Sequence, residues 1–178
     1  YAINQFSLDE HDDVLRIATT ANLNWWDDGT ENESMVTTFA QDGQVLKPIG
    51  LVDGLGKGER IYSVRFLGET GYVVTFRQVA PLYGIDLRDA RRPTVTGELK
   101  IPGFSSYIHP MADKHLLTIG RDATDEGQVL GLSFQIFDVS NPAAPALVQK
   151  STIGSDWATS SEASYDHRAF TYFAQKNM

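Results

Sequence analysis

The stretch RIYSVRFLGETGYVVTF (residues 60–76) returns without a gap as GFSSYIHPMADKHLLTI (residues 103–119). Each copy is followed by a second matching unit, IDLRDARRPTVTGELKIPG from Ile85 and IFDVSNPAAPALVQKSTIG from Ile136. One repeat therefore contains four short apolar runs. Self-similarity at a period of about forty to fifty residues, with four β-rich runs per unit, is typical of β-propeller blades.

The turns carry the same period. Asp86 and Pro93 have the spacing of Asp138 and Pro145, which fits a hairpin whose second strand starts after the proline. Asp42-Gly43, between apolar runs, is a further hairpin signal. The predicted fold is all-β, a β-propeller fragment of about three four-stranded antiparallel blades plus the first strand of a fourth. The blades are expected at residues 3–54, 60–103 and 105–154, and the next begins within residues 162–178, its strand at 168–173.

The number of blades predicts incompleteness. A propeller closes with about four to eight blades, so three blades and the first strand of a fourth leave open strand edges. Unpaired strand edges favour pairing with other segments. We therefore expect this chain to be part of one propeller domain, whose partners are the remaining blades of a parent protein or a second copy.

Composition excludes several function classes. The net charge of −8 argues against nucleic acid as the natural partner, because phosphate backbones are approached through Lys/Arg patches. No apolar run has the length of a membrane span. The absence of cysteine removes disulfides, thiol catalysis and Cys-ligated zinc.

Two polar loops hold the candidate binding residues. Residues 19–34 contain Trp25 and Trp26 followed by carboxylates. These tryptophans fit either packing lids over a blade or a platform for a glycan or peptide. Residues 120–131 contain Asp122, Asp125 and Glu126. Their carboxylates fit either a solvated loop or a Ca²⁺ site, which takes six to eight oxygens, and calcium is the one cofactor that the sequence suggests.

Two histidines are candidate ligands near the centre of a propeller. The gapless repeat aligns His109 with Phe66, an aromatic packing position, and His167 precedes the expected fourth-blade strand. Innermost strands line the central channel, so these imidazoles are either hydrogen-bonded core residues or residues that converge there on a metal or a polar ligand. Catalytic motifs of the Gly-x-Ser-x-Gly, P-loop and His-Glu-x-x-His types are absent from the sequence, and we predict no catalytic residues.

Several long segments also carry a resemblance. NQFSLDEHDDVLRIATT, GERIYSVRFLGETGYVVTFRQVAPLYGIDLRD, GELKIPGFSSYIHPMADKHLLTIGRD and IFDVSNPAAP together resemble the secreted β-propeller domain family of bacteria and archaea, whose C-terminal propeller is distantly related to WD repeats. The resemblance covers residues 4–177. It implies a propeller in an exported or cell-surface protein, and it implies no particular activity or catalytic residue.

Two functions follow as expectations. The first is a non-enzymatic extracytoplasmic propeller that acts as a scaffold or binds protein or glycan through its loops. The alternative is part of a hydrolase or metal-dependent enzyme whose site needs blades outside this chain. Innermost-strand positions offer Arg65, His109 and Arg168 among many apolar neighbours, which favours the binding module.

Overall fold

A computed structural model describes residues 1–21, 31–76, 79–124, 128–155 and 158–176. Sheet 1 holds β1 (Leu8–His11), β2 (Val14–Ala21), β3 (Glu33–Asp42) and β4 (Val45–Leu55). Sheet 2 holds β5 (Arg60–Leu67), β6 (Thr70–Phe76), β7 (Val79–Asp86) and β8 (Thr94–Pro102). Sheet 3 holds β9 (Phe104–Met111), β10 (His115–Ala123), β11 (Val129–Asp138) and β12 (Ala146–Ile153).

Each sheet is a four-stranded antiparallel meander, with its strands in chain order. Strands β2 and β3 alternate between buried and less buried positions, which is the pattern of residues shared between two faces. Tight hairpins join neighbouring strands, as at Asp12 and Asp13, both of which have positive φ. The prediction of an all-β fold with three such units is confirmed.

Sheet 2 lies between the other two sheets. Its face toward sheet 1 supplies Val64, Phe66 and Ile85 to one buried cluster, which also contains Ala18 and Val36 of sheet 1. Its opposite face contributes to a second cluster in which Tyr72 and Leu82 pack with Ile108, Leu116 and Phe137 of sheet 3. The core is thus divided into layers between successive sheets, as expected where each blade covers its neighbour.

Two loops of the same sequence pattern fasten the sheets to one another. We call residues 87–93 and 139–145 the clasp loops. At the first clasp loop, the side-chain oxygens of Asp86 and Asp89 accept hydrogen bonds from the backbone N–H groups two residues later. Asp138 and Asn141 do the same at the second. The shared Asx turns explain why the Asp-to-Pro spacing repeats.

Each clasp loop rests on the preceding sheet. The carbonyl of Ala90 accepts a hydrogen bond from Thr38 Oγ1 of sheet 1 at 2.5 Å, and the carbonyl of Pro142 accepts one from Thr96 Oγ1 of sheet 2 at 3.2 Å. Glycine allows this approach, since a Cβ on Gly97 would stand 2.7 Å from the carbonyl oxygens of both Pro142 and Ala143. The clasp loops therefore need small residues on the sheet that receives them.

The structure corrects the predicted repeat register. His109 pairs with Leu117 and Arg65 pairs with Tyr72 across their first hairpins, so His109 is equivalent to Arg65 and not to Phe66. The cause is the hairpin connection, which is a 3-10 turn at Ala112–Lys114 in sheet 3 and only two residues in sheet 2. A shift of one residue in a strand moves a side chain to the other face.

The prediction of a strand at residues 168–173 is also wrong. The described part of the tail, residues 158–176, has 3-10 helices at Glu162–Ser164, His167–Ala169 and Ala174–Lys176 and no strand. A strand needs a hydrogen-bonded neighbour, and the first strand of a fourth sheet has none within the described chain. Among the described helices, none has the length and apolar character needed to cross a membrane.

Candidate functional site

The first strands of sheets 2 and 3 lie side by side and bring the cation Arg65 together with aromatic rings. Ser63 of β5 donates to the carbonyl of Ser105 of β9 at 2.7 Å. This contact places Arg65 beside Tyr107, and the N-terminal 3-10 turn (Gln5–Ser7) adds Phe6. We call the resulting group the inner-strand cluster. Its members are Phe6, Arg65, Tyr107, His109, His167, Phe170 and Tyr172.

Arg65 is the central cation of the inner-strand cluster. Its Nε and Nη2 donate to the carbonyl of Ile108 at 2.9 and 2.6 Å. Its guanidinium carbon lies 3.7 Å from the centre of the Phe6 ring and 5.5 Å from that of Tyr107. Burial lowers the pKa of Arg65, and interaction with Tyr107 opposes this effect. An arginine keeps its proton over such a change, so the cluster has a fixed positive charge.

His109 stands next to this charge. Its Nδ1 shares a hydrogen bond of 3.0 Å with the Tyr107 hydroxyl, and its ring lies 5.0 Å from Phe170 and 5.9 Å from Tyr172 between centres. Burial lowers the pKa of His109, and the charge of Arg65 lowers it further. The imidazole is therefore neutral at neutral pH and acts as a polar member of an aromatic group.

The tail brings the second predicted histidine to the same place. Gln5 Nε2 lies 2.7 Å from His167 Nδ1, and the Phe6 ring meets the imidazole edge-on with centres 5.3 Å apart. The tail is held on sheet 3 by Arg121, which donates to the carbonyl of Thr159, and by buried Ala163. His109 and His167 thus join one cluster through Phe6 and Tyr107, although 58 positions separate them in sequence (167 minus 109).

The arrangement of the inner-strand cluster suits binding. The two histidines use Nδ1 for contacts with uncharged side chains, Tyr107 and Gln5. A cation flanked by aromatic rings recognises anionic or polar planar groups through charge, hydrogen bonds and ring stacking. Among the residues that the structure describes, no group of three or more His, Cys, Asp or Glu side chains is placed to hold a metal ion.

The remaining predicted site residues lie elsewhere. Asp122 is 6% exposed, and its carboxylate accepts hydrogen bonds from Lys150 and from Thr152 Oγ1, the latter at 2.8 Å. Burial alone would raise the pKa of Asp122, but the hydrogen bonds from Lys150, Thr152 and the Ala123 amide lower it. A cation at this carboxylate would have to compete with Lys150. Trp25, Trp26, Asp125 and Glu126 lie outside the described residues.

Sequence reasoning missed a polar cleft at the second clasp loop. The cleft has a volume of about 350 Å³ and is lined by Glu69, Asp86, Arg88, Asn141 and Pro142, among others. Arg88 forms a bidentate pair with Asp86, with Nε–Oδ1 and Nη2–Oδ2 distances of 3.0 and 2.5 Å. Hydrogen bonds from Arg88 lower the pKa of Asp86. The repeated Asp-to-Pro spacing was the signal, but it does not reveal that the loop packs against another sheet.

Comparison with known proteins identifies the family of this chain. The chain matches the family model described as a β-propeller domain over residues 1–178. It is 39% identical over 173 residues to an uncharacterized protein of Archaeoglobus fulgidus, covering 97% of this chain and 25% of that protein. It is also 39% identical over 142 residues to an uncharacterized protein of Methanocaldococcus jannaschii, covering 80% of this chain and 22% of that protein.

The chain therefore spans about a quarter of the length of these curated relatives. Successive four-stranded meanders, packed face to face and joined by clasp loops, are the arrangement of propeller blades. With a family match over its whole length, the chain belongs to the β-propeller domain family.

Proposed function

We propose that this chain is part of a non-enzymatic extracytoplasmic β-propeller that binds a protein or glycan. The observation that carries the proposal is the inner-strand cluster, in which a half-buried arginine and two hydrogen-bonded histidines lie among aromatic rings. Neither imidazole is hydrogen-bonded to a carboxylate or to a serine in the described contacts, so the cluster resembles a recognition surface more than a nucleophile–base pair.

The tail extends this surface outward. Tyr165 is 81% exposed and Phe173 is 58% exposed, and both belong to the segment that carries His167 and Phe170. Exposed aromatic side chains with polar neighbours are common at interfaces and sugar-binding sites, because they bury much apolar area at little cost in conformational entropy. A ligand that stacks on these rings would lie on the segment that contributes His167 and Phe170 to the inner-strand cluster. The extracytoplasmic location is proposed from the family resemblance alone.

Binding to immobilised glycan and peptide arrays tests the proposal. We expect a reproducible set of ligands for the intact chain and loss of that binding in the double variant Tyr165→Ala, Phe173→Ala. Tyr1→Ala is the matched control, because Tyr1 is an exposed aromatic residue (70%) outside the tail. Binding that survives the double variant, or is lost equally in the control, would contradict a role for the tail surface.

A further inference from the structure

A second cleft lies beside the polar cleft at the second clasp loop. It has a volume of about 260 Å³ and is lined by Tyr72, Met111, Lys114, His115, Leu116 and Val139, among others. We call it the hairpin cleft, because residues of the first hairpin of sheet 3 form one of its walls. Thr70 and Pro142 line both clefts. None of the described residues that line the hairpin cleft belongs to the inner-strand cluster, so it is a separate site.

The wall of the hairpin cleft is largely apolar. Tyr72, Leu116 and Val139 belong to the buried cluster between sheets 2 and 3, and Leu67 packs against that cluster. The volume corresponds to about nine water molecules at roughly 30 Å³ each. A ligand with about that number of non-hydrogen atoms would fill it.

Charge distinguishes the two clefts. The polar cleft is lined by the acids Glu69 and Asp86 as well as by Arg88. The hairpin cleft is lined by Lys114 and His115, and no Asp or Glu is among its described lining residues. In a chain with a net charge of −8, a cleft with basic but no acidic lining residues favours an anion.

The wall also contains a buried hydroxyl without a partner. Tyr72 is 3% exposed, and burial raises its pKa. Two other buried tyrosines do have hydrogen bonds: the Tyr83 hydroxyl accepts one from the Gly56 amide at 3.1 Å. The Tyr107 hydroxyl shares one with His109 at 3.0 Å. Among the residues that the structure describes, the Tyr72 hydroxyl has no such partner. Since a buried tyrosine usually finds one, a ligand in the cleft would complete this group.

Lys114 is the free cation of the hairpin cleft. It ends the 3-10 turn of the first hairpin of sheet 3 and is exposed. Its ammonium has no ion-pair or hydrogen-bond partner in the described part of the chain, whereas His115 pairs in register with Asp138. The φ of Lys114 is +58°, in the region that favours glycine, so the backbone gives no reason for a lysine at this position.

We propose that the hairpin cleft binds a small apolar carboxylate. The apolar part of the ligand packs on Leu116, the Tyr72 hydroxyl donates a hydrogen bond to the carboxylate, and Lys114 supplies the opposite charge. A hydroxyl and an ammonium are both donors, which suits a carboxylate that only accepts. An apolar cleft with a few polar groups is the usual form of a small-molecule site. This site is independent of the glycan or protein binding proposed for the tail surface.

Benzoate has a suitable size and is the probe, and benzamide is its uncharged counterpart. Titrations followed by the backbone amide shifts of the intact chain should show saturable changes at Leu116 and Val139. We expect a dissociation constant for benzoate on the order of 1 mM, as for other ligands of this size. Benzamide should bind at least about twofold more weakly, because it cannot use the charge of Lys114.

Two variants separate the hydroxyl from the charge. Tyr72→Phe should weaken benzoate about fivefold without lowering the melting temperature, because the hydroxyl has no partner in the protein. Lys114→Gly, which suits the positive φ, should weaken benzoate about two- to fivefold and leave benzamide unchanged. The matched controls are Tyr83→Phe, on the other face of sheet 2, and Lys100→Ala, an exposed lysine outside the cleft. Both should bind benzoate as the wild-type chain does, although Tyr83→Phe should melt earlier.

The outcomes that overturn the proposal are equally specific. They are the absence of saturable shifts at Leu116 and Val139 up to about 10 mM benzoate, tenfold the expected constant, or equal binding of benzoate by wild type and a folded Tyr72→Phe. Equal losses in Tyr72→Phe and Tyr83→Phe would also overturn it, because they would show that a general effect on the fold, and not the cleft hydroxyl, controls binding.

Discussion

Replacing Gly50 with alanine tests the clasp loop between sheets 1 and 2. The added Cβ would stand 2.7 Å from Thr38 Oγ1 and 2.8 Å from Pro93 Cδ. Overpacking of this kind typically costs about 1–3 kcal/mol. Movement of the Ala90 carbonyl would also weaken its hydrogen bond from Thr38, which is worth roughly 0.5–1.5 kcal/mol.

One effect works in the opposite direction. Removing a glycine restricts the unfolded chain and stabilises the protein by about 0.4–1 kcal/mol where the alanine fits. The balance is a loss of about 2 kcal/mol in the free energy of unfolding for Gly50→Ala. Without the clasp loop, the added Cβ would meet only Thr38 Oγ1, the end of a side chain within sheet 1, so the free energy of unfolding would stay nearly unchanged or rise.

Equilibrium urea denaturation, followed by circular dichroism, measures the difference. Lys47→Ala is the control on the same strand, because Lys47 and its ion-pair partner Asp42 are both exposed, and its effect should stay within about 0.5 kcal/mol. An unchanged or higher urea midpoint for Gly50→Ala would refute the assignment of residues 87–93 as a clasp.

Three further predictions concern other parts of the chain. Gly97→Ala should also destabilise the chain, and its change in the free energy of unfolding should add to that of Gly50→Ala in the double variant, because the two clasp loops are separate. Strong non-additivity in urea denaturation would count against this. The pKa of His109 is lowered in the folded state, so the unfolded chain binds a proton more readily and stability should fall as the pH drops below about 6.5. Melting curves from pH 7 to 5 should show a melting temperature that depends less on pH for His109→Phe than for the control His11→Gln. Lys150 forms an ion pair with Asp122, so a calcium site at Asp122, Asp125 and Glu126 would bind Ca²⁺ more tightly in Lys150→Met than in the wild-type chain. Equal calorimetric responses of the two chains to Ca²⁺ would contradict the calcium hypothesis.

The repeat predicted the fold because strand pattern and turn residues are local properties. Four apolar runs per unit correspond to the four strands of each sheet. The register was off by one residue at His109, because a gapless match hides a longer hairpin at Ala112–Lys114. Strand propensity at residues 168–173 likewise did not produce a strand, since pairing depends on a neighbour that sequence pattern does not supply.

The candidate site was only partly visible in the sequence. His109 and His167 were selected as polar residues near the innermost strands, and the structure brings both into one cluster. The role of Phe6 and of Arg65 depends on contacts between segments far apart in the chain, which periodicity does not encode. The same reason explains Asp122, whose partner Lys150 lies two strands away in the same sheet.

The central claim is that sheets 2 and 3 are each fastened to the preceding sheet by a clasp loop. Nuclear Overhauser contacts at the two clasp loops test this claim most directly. Pro93 Cδ lies where a Gly50 Cβ would meet it at 2.8 Å. The account predicts strong contacts from the Gly50 Hα protons to the Pro93 Hδ protons, and from Gly97 Hα to Ala143. Absence of both contacts, in a chain whose hairpin contacts within each sheet are intact, would contradict it.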